Sequence, residues 1–173
     1  IIILSPIYII IALAVKLSDG GLIFFKQSRL SRFDTTIKIY KFRTHNLTYN
    51  GLDPEQAFTK MGKPNLINKY RDNGDYLAND PRITKVGLFL RRTSLDELPQ
   101  LFNVLKGDIS LVGPRALVPK ELNNYAYKNL ILSVKSGITG LAQTSGRKDI
   151  GYNERRALDL YYVQNWSFWL DIK

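Results

Sequence analysis

The sequence predicts an α+β fold, mainly helical with a small β-hairpin. Apolar residues recur at helical spacing in several segments, chiefly residues 82–92, 98–105 and Tyr152–Gln164. Two short β-rich runs, residues 22–27 and Thr36–Phe42, are separated by polar residues that suit a turn. No composition shift divides the 173 residues, and their number is enough for a domain with a sizeable core.

Composition and charge narrow the kinds of site that the chain can hold. It has no cysteine, which excludes disulfides and a thiol nucleophile, and its single histidine excludes a multi-histidine metal site. Any bound metal must therefore be held mainly by oxygen. The net charge of +10 suits an anionic partner such as a nucleotide, a phospholipid surface or nucleic acid.

The first fifteen residues form an uncharged, aliphatic segment. A helix that spans a bilayer needs about 20 such residues. Pro6 interrupts the segment and would break a continuous helix, but a hydroxyl such as that of Ser5 can satisfy backbone groups freed in hydrocarbon. A helix that enters the membrane and turns back is one interpretation, and a buried soluble helix or half of a spanning helix are the others. We expect the sequence to begin inside a longer protein.

The predicted hairpin carries a series of basic residues. These are Lys26, Arg29, Lys38, Lys41 and Arg43. They are expected either to face lipid headgroups or nucleotide phosphates, or to form a solvated strand face.

Several helices are predicted after the hairpin. Proline starts two short ones, at residues 54–61 and 64–71, and the 82–92 helix delivers Arg91 to the charged segment that follows. Residues 109–112 are a short apolar run, and a helix is expected at residues 119–127. Glycines at residues 137–140 and 146 predict turns where backbone can approach a ligand closely. Trp166, Phe168 and Trp169 suit either a membrane interface or a core.

Residues 91–108 contain the densest chemistry in the chain. Ser94 followed by Glu97 predicts a capping box, and acidic residues in a first turn suit the positive end of a helix dipole. That interpretation is purely structural. Cations near Asp96 and Glu97 favour a phosphate site instead. These cations are Arg91, Arg92, Lys106 and Arg115.

A resemblance emerges from this segment. The run SLDELPQLFNVLKGDISLVGPR, residues 94–115, resembles the core signature of the bacterial sugar transferases, monotopic phosphoglycosyl transferases that load a sugar phosphate onto a polyprenyl phosphate carrier. The similarity extends over essentially the whole chain. It includes Ser5-Pro6, IYKFRT at residues 39–44, NDPRITKVG at residues 79–87, GITGLAQ at residues 137–143, Gly146-Arg147 and YYVQNWS at residues 161–167.

The resemblance implies a membrane-bound architecture. Because the family's membrane helix carries a Ser-Pro break, residues 1–18 are expected to be a re-entrant helix broken at Ser5 and Pro6, truncated at its start. Residues 19–173 would form the catalytic domain on the cytoplasmic face of the bacterial inner membrane. A homo-oligomer stays an open alternative.

The resemblance also implies the reaction. A UDP-sugar, with glucose or galactose as the hexose, would give its sugar phosphate to undecaprenyl phosphate and release UMP, in the first membrane step of exopolysaccharide, capsule or O-antigen synthesis. Asp96 would be the nucleophile, kept ionised by a helix N-terminus, and Glu97 would hold Mg²⁺ together with substrate phosphates. The kinetics should be ping-pong.

Further residues receive roles by matching the family's motifs. Arg91 would clamp the transferred phosphoryl group, Arg115 and Arg147 would lie near the nucleotide or its phosphates, and Lys41 and Arg43 would line the same pocket. Asp159 would help to position the metal or a basic group.

Other functions remain as alternatives. A basic nucleic-acid-binding module would explain the charge, but the sequence has no zinc spacing and no aromatic-basic repeat, so no nucleic acid partner is expected. A non-catalytic membrane adaptor would explain the apolar start but not the acidic pair and its arginines. A different metal-dependent phosphotransferase acting on lipid phosphates would share most of this chemistry.

Overall fold

Helices and two small two-stranded sheets make up the computed structural model, which describes residues 2–73, 75–146 and 151–172. The mixed, mainly helical fold is therefore confirmed. Contacts divide the chain into two compact units: the first contains Ile1–Phe25 and Lys41–Pro99, and the second contains Lys26–Tyr40 and Gln100–Lys173.

The regular elements alternate along the chain. The α-helices are α1 (Ser5–Asp19), α2 (Pro54–Lys60), α3 (Leu66–Asp72), α4 (Lys85–Thr93), α5 (Gln100–Leu105), α6 (Lys128–Ile131), α7 (Leu141–Thr144), α8 (Tyr152–Gln164) and α9 (Phe168–Ile172). The strands are β1 (Phe24–Leu30), β2 (Thr36–Phe42), β3 (Ser110–Val112) and β4 (Gly137–Thr139). Short 3₁₀ turns connect several of them.

Helix α1 begins where the 3₁₀ turn Ile2–Leu4 ends, with Pro6 in its first helical turn. A proline is tolerated there because its missing N–H would have no intrahelical partner. Gly20 ends the helix in the left-handed conformation, with φ of 75°. The helix has 15 residues, and among the described parts of the chain no helix combines the length and apolar character needed to cross a bilayer. Re-entrance stays a prediction.

The core of the first unit joins α1, β2 and α4. Ile11 and Val15 of α1 are buried against Phe42 and Leu90. The opposite side of α1 is aliphatic and exposed, and Leu17 is 82% exposed. One helix thus combines a docked face with a wide apolar face that has no core neighbours.

The first sheet confirms the predicted hairpin. β1 pairs with β2, although β1 starts two residues later than the sequence indicated and runs three residues further. Phe42 at the end of β2 belongs to the core of the first unit, whereas Ile37 and Ile39 belong to a core of the second unit.

The second sheet was not predicted. β3 and β4 are parallel, with Ser110 opposite Gly137 and Val112 opposite Thr139. Residues 137–140 were expected to form only a turn, because three residues are too few to show strand alternation. Glycine is required at position 137, since a Cβ there would lie 2.2 Å from the backbone nitrogen of Gly113.

Two predicted apolar helix faces are wrong. In α5 the buried residues are Gln100 and Asn103, while Phe102 and Leu105 are exposed. In α8 the buried residues are Asp159 and Tyr162; of the predicted apolar face, Leu160 packs against a core of the second unit, but Ala157 and Tyr161 are exposed. Apolar spacing located both helices but did not identify which side is buried.

Candidate functional site

The acidic pair of the charged segment lies on a 3₁₀ turn, Leu95–Glu97, which we call the acidic turn. α4 ends at Thr93, and Ser94 reverses the chain in the left-handed conformation with φ of 58°. Leu95 and Leu98 then pack against the core of the first unit. Because apolar residues on both sides are anchored, Asp96 and Glu97 are held on a fixed piece of backbone.

The predicted capping box is absent. The Ser94 side chain makes no capping hydrogen bond, and it is the Ser94 carbonyl that accepts from the Glu97 N–H, at 3.1 Å. The acidic turn also precedes α5 instead of forming its first helical turn, since α5 starts at Gln100. Ser94 therefore shapes the approach to the acidic turn through its backbone.

Asp96 is 8% exposed. Burial raises the pKa of its carboxyl above the ordinary value, and the neighbouring Glu97 adds to that effect, while the charges of Lys41 and Arg91 oppose it. The ionised form of Asp96 stays a prediction: the nearby cations favour the carboxylate, and burial disfavours it.

Glu97 is paired with a cation from the hairpin. The Lys41 ammonium lies 2.6 Å from a Glu97 carboxylate oxygen, and the two side chains are 28% and 34% exposed. Lys41 comes from β2, so the structure brings together two predicted site residues that are 56 positions apart.

Arg91 lies in the last helical turn of α4 and is exposed. Its charge lowers the pKa of Asp96, against the larger effect of burial, and it also acts on His45. Burial lowers the pKa of His45 to about 4, with Arg91 and Arg82 contributing, so the imidazole is neutral at physiological pH. Within the first unit, Asp96, Glu97, Lys41 and Arg91 form one electrostatic cluster.

Arg43 does not have the surroundings of a phosphate ligand. Its guanidinium is 1% exposed, forms an ion pair with Asp19, and donates to the carbonyls of Leu22 and His45 at 2.5 and 2.8 Å. The hydrogen bond from Arg43 lowers the pKa of Asp19 to about 2. Arg43 thus fastens the end of α1 to the chain after β2, and its contact with nucleotide phosphates stays a prediction.

The other predicted site residues belong to the second unit. The Arg115 side chain is 39% exposed, with its guanidinium 3.8 Å from Glu121. Its backbone N–H donates to Asp159 at 3.2 Å, and the Tyr125 hydroxyl donates to the same carboxyl at 3.3 Å. Arg147 lies outside the described residues.

Asp159 is a poor metal ligand in this setting. It is 1% exposed, and both of its oxygens already accept hydrogen bonds. Burial raises its pKa to about 6. Asp159 is therefore a buried acceptor that fastens the Arg115 backbone to α8, and its role in positioning a metal or a basic group stays a prediction.

Mg²⁺ fits the acidic turn if substrate phosphates supply part of its coordination. Among residues 2–73, 75–146 and 151–172, no group of three or more His, Cys, Asp or Glu side chains is placed to hold a metal ion. Mg²⁺ commonly uses one or two carboxylates and takes its remaining ligands from substrate phosphates and water. The partly exposed Glu97 beside Asp96 meets that requirement.

Sequence patterns did not indicate the contact that Tyr8 makes. The Tyr8 hydroxyl donates to the carbonyl of Leu98, at 2.5 Å, directly after the acidic turn. The signal available was a tyrosine hydroxyl within an aliphatic run.

Known proteins are similar to this chain over almost its whole length. A profile described as "Bacterial sugar transferase" matches residues 1–173. The exopolysaccharide production protein ExoY of Sinorhizobium fredii is 44% identical over 170 residues, which cover 98% of this chain and 74% of that protein. An undecaprenyl-phosphate galactose phosphotransferase of Salmonella typhimurium is 43% identical, over 99% of this chain and 35% of its own length.

A third relative is a UDP-glucose:undecaprenyl-phosphate glucose-1-phosphate transferase of Escherichia coli. It is 41% identical, over 100% of this chain and 35% of its own length. This chain thus spans about a third of the length of two of these three relatives.

Proposed function

This chain belongs to the bacterial sugar transferase family, and we propose that it transfers a hexose 1-phosphate from a UDP-sugar to undecaprenyl phosphate with release of UMP. The observation that carries the proposal is the acidic turn, where a buried Asp96 lies beside Glu97 and within the fields of Lys41 and Arg91. The names of two relatives support undecaprenyl phosphate as the acceptor and galactose or glucose as the sugar.

Asp96 is the proposed nucleophile. Its carboxylate oxygen attacks the phosphorus that carries the sugar, the bond from that phosphorus to the UMP oxygen breaks, and UMP leaves with the bonding pair. The result is a sugar phosphate bound covalently to Asp96. Burial strips water from the carboxylate, while Lys41 and Arg91 offset its charge, so the group can be ionised without being strongly solvated.

The second half of the reaction restores the enzyme. An oxygen of undecaprenyl phosphate attacks the same phosphorus, and the bond to the Asp96 oxygen breaks. Undecaprenyl diphosphate sugar leaves, and the carboxylate returns to its starting state. Two displacements at one phosphorus predict ping-pong kinetics.

The other members of the cluster bind and orient the donor. Glu97 would hold Mg²⁺ with the diphosphate, and the bound ion would supply neutralisation of the phosphate charge. Lys41, once released from Glu97, and the exposed Arg91 would contact phosphoryl oxygens. Arg115 and Arg147 are kept as proposed contacts of the nucleotide.

We also propose that α1 is the re-entrant membrane helix at the cytoplasmic face of the bacterial inner membrane. Its exposed aliphatic side, which includes Ile9, Ile10 and Leu13, supports contact with lipid.

Release of UMP tests the proposed function. Wild-type protein in detergent, mixed with Mg²⁺, undecaprenyl phosphate and a panel of UDP-sugars, should release UMP from UDP-galactose or UDP-glucose. The Asp96→Asn variant should lose at least about 1,000-fold in rate, because an amide cannot act as the nucleophile. Asp72→Asn, an exposed change at the end of α3, is the matched control and should keep wild-type activity. Equal turnover by the Asp96→Asn variant would overturn the assignment.

A further inference from the structure

Tyr8 contacts two segments of the first unit. Its hydroxyl donates to the Leu98 carbonyl at 2.5 Å, and its ring lies 5.7 Å from the ring of Phe42, tilted by 58°. Tyr8 stands on α1, whereas Leu98 follows the acidic turn and Phe42 ends β2. One side chain therefore touches two of the three segments that build the electrostatic cluster.

These contacts are adjacent in sequence to the central ion pair. Phe42 directly follows Lys41, and Leu98 directly follows Glu97. The Lys41 and Glu97 side chains meet at 2.6 Å. A shift of either segment relative to Tyr8 would change the separation of this pair and, with it, the direction in which Asp96 points.

We propose that Tyr8 is a positioning residue for the acidic turn, acting through the Leu98 carbonyl and the Phe42 ring. This inference rests on the proposed function, because it assigns Tyr8 to the alignment of that site.

The surroundings of Tyr8 suit this role. Its helix is fixed by Ile11 at 6% and Val15 at 1% exposure, and Phe42 is 1% exposed and stacked on Phe24 at 5.4 Å. A tyrosine has few rotatable bonds, so a hydroxyl on a fixed helix defines the position of its acceptor closely. The acidic turn is a short 3₁₀ turn, whose few internal hydrogen bonds leave it dependent on such outside contacts.

A single substitution at Tyr8 can distinguish a positioning role from a contribution to overall stability. Replacing Tyr8 with Phe removes only the hydroxyl and keeps the ring contact with Phe42. Tyr127→Phe is the matched control, because it removes a hydroxyl from a tyrosine that is 63% exposed in the second unit.

The test has two readouts. Tyr8→Phe should lower kcat for UMP release about threefold to tenfold, the loss expected for one neutral hydrogen bond, while KM for the UDP-sugar changes less than about twofold. In hydrogen exchange followed by mass spectrometry, the peptide around residues 94–99 should exchange faster, with the rest of the chain unchanged. Tyr127→Phe should behave as wild type in both assays.

Different failures have different meanings. Wild-type kcat and wild-type exchange around the acidic turn in Tyr8→Phe would overturn the proposal, and so would faster exchange spread over the whole chain. If the wild-type protein released no UMP, the proposed function would fail, and the exchange measurement would still decide whether Tyr8 holds the acidic turn.

Discussion

At the scale of single residues, two buried aspartates differ in their partners. Asp96 is influenced by the charges of Lys41 and Arg91, both on partly or fully exposed side chains. Asp159 instead accepts hydrogen bonds from the Arg115 N–H and the Tyr125 hydroxyl. The first setting surrounds the carboxylate with cations, as the proposed reaction at a phosphate requires, while the second uses the carboxyl to hold protein segments together.

The raised pKa of Asp159 predicts a pH dependence of stability. Because the pKa is about 6 in the folded protein and near 4 in the unfolded chain, the folded state binds more protons between those values. The free energy of unfolding therefore falls as pH rises through this window, and this loss is complete above about pH 6. Burial is the first cause of the shift, because it disfavours the ionised carboxylate.

Asp159→Asn should remove this dependence, since an amide oxygen can still accept from Arg115 or Tyr125 but does not ionise. Take the free energy of unfolding of the variant minus that of wild type. This difference should rise by roughly 2 to 3 kcal/mol from pH 4 to pH 7, because only wild type loses stability in that range. Denaturant unfolding at several pH values measures this difference. A constant difference between the two proteins would contradict the account, and Asp72→Asn serves as the exposed control.

At the scale of elements, the sequence located helices better than it located their buried faces. α2, α3 and α8 lie within a few residues of their predicted ranges, because proline starts and helical spacing are local signals. In α5, however, Asn103 is fully buried and its amide bonds to the backbone of Tyr40 and Lys38 and to Asp108. Apolar periodicity cannot reveal a buried amide whose partners lie on another element.

Helix α4 makes a close backbone contact that gives a second stability prediction. A Cβ at Gly87 would lie 2.1 Å from the carbonyl oxygen of Thr44, which also accepts the backbone N–H of Thr84 at 3.0 Å. Gly87→Ala should therefore lower the free energy of unfolding by about 1 to 3 kcal/mol, and it should reduce UMP release because α4 carries Arg91.

Denaturant unfolding and the UMP assay check this prediction together. Gly151→Ala is the control: a Cβ there meets no atom within 4 Å, and the change should cost less than about 1 kcal/mol. If the Gly87→Ala variant were as stable as wild type, the close contact between α4 and the Thr44 backbone would be contradicted.

At the scale of the whole molecule, the predicted site residues fall into two units. Asp96, Glu97, Lys41 and Arg91 are in the first unit, and Arg115 is in the second. The acidic pair and its arginine could be predicted because they are neighbours in sequence. The contact between Lys41 and Glu97, and the one between Tyr8 and Leu98, join residues 56 and 90 positions apart, so only the fold reveals them.

The surroundings of Arg43 also could not be predicted from its motif. Arg43 looked like a phosphate ligand because it follows Lys41 in a basic motif, yet Asp19 and backbone carbonyls take up its guanidinium inside the first unit. A cation in a sequence motif can serve the fold as readily as the substrate.

The most direct test of the central claim is the mass of the intact protein after reaction with UDP-galactose or UDP-glucose and Mg²⁺ in the absence of undecaprenyl phosphate. The account predicts that wild type gains the mass of one hexose phosphate on the peptide containing Asp96, that undecaprenyl phosphate discharges it, and that Asp96→Asn gains nothing. UMP release by wild type without any adduct, or an adduct on another residue, would contradict a covalent role for Asp96.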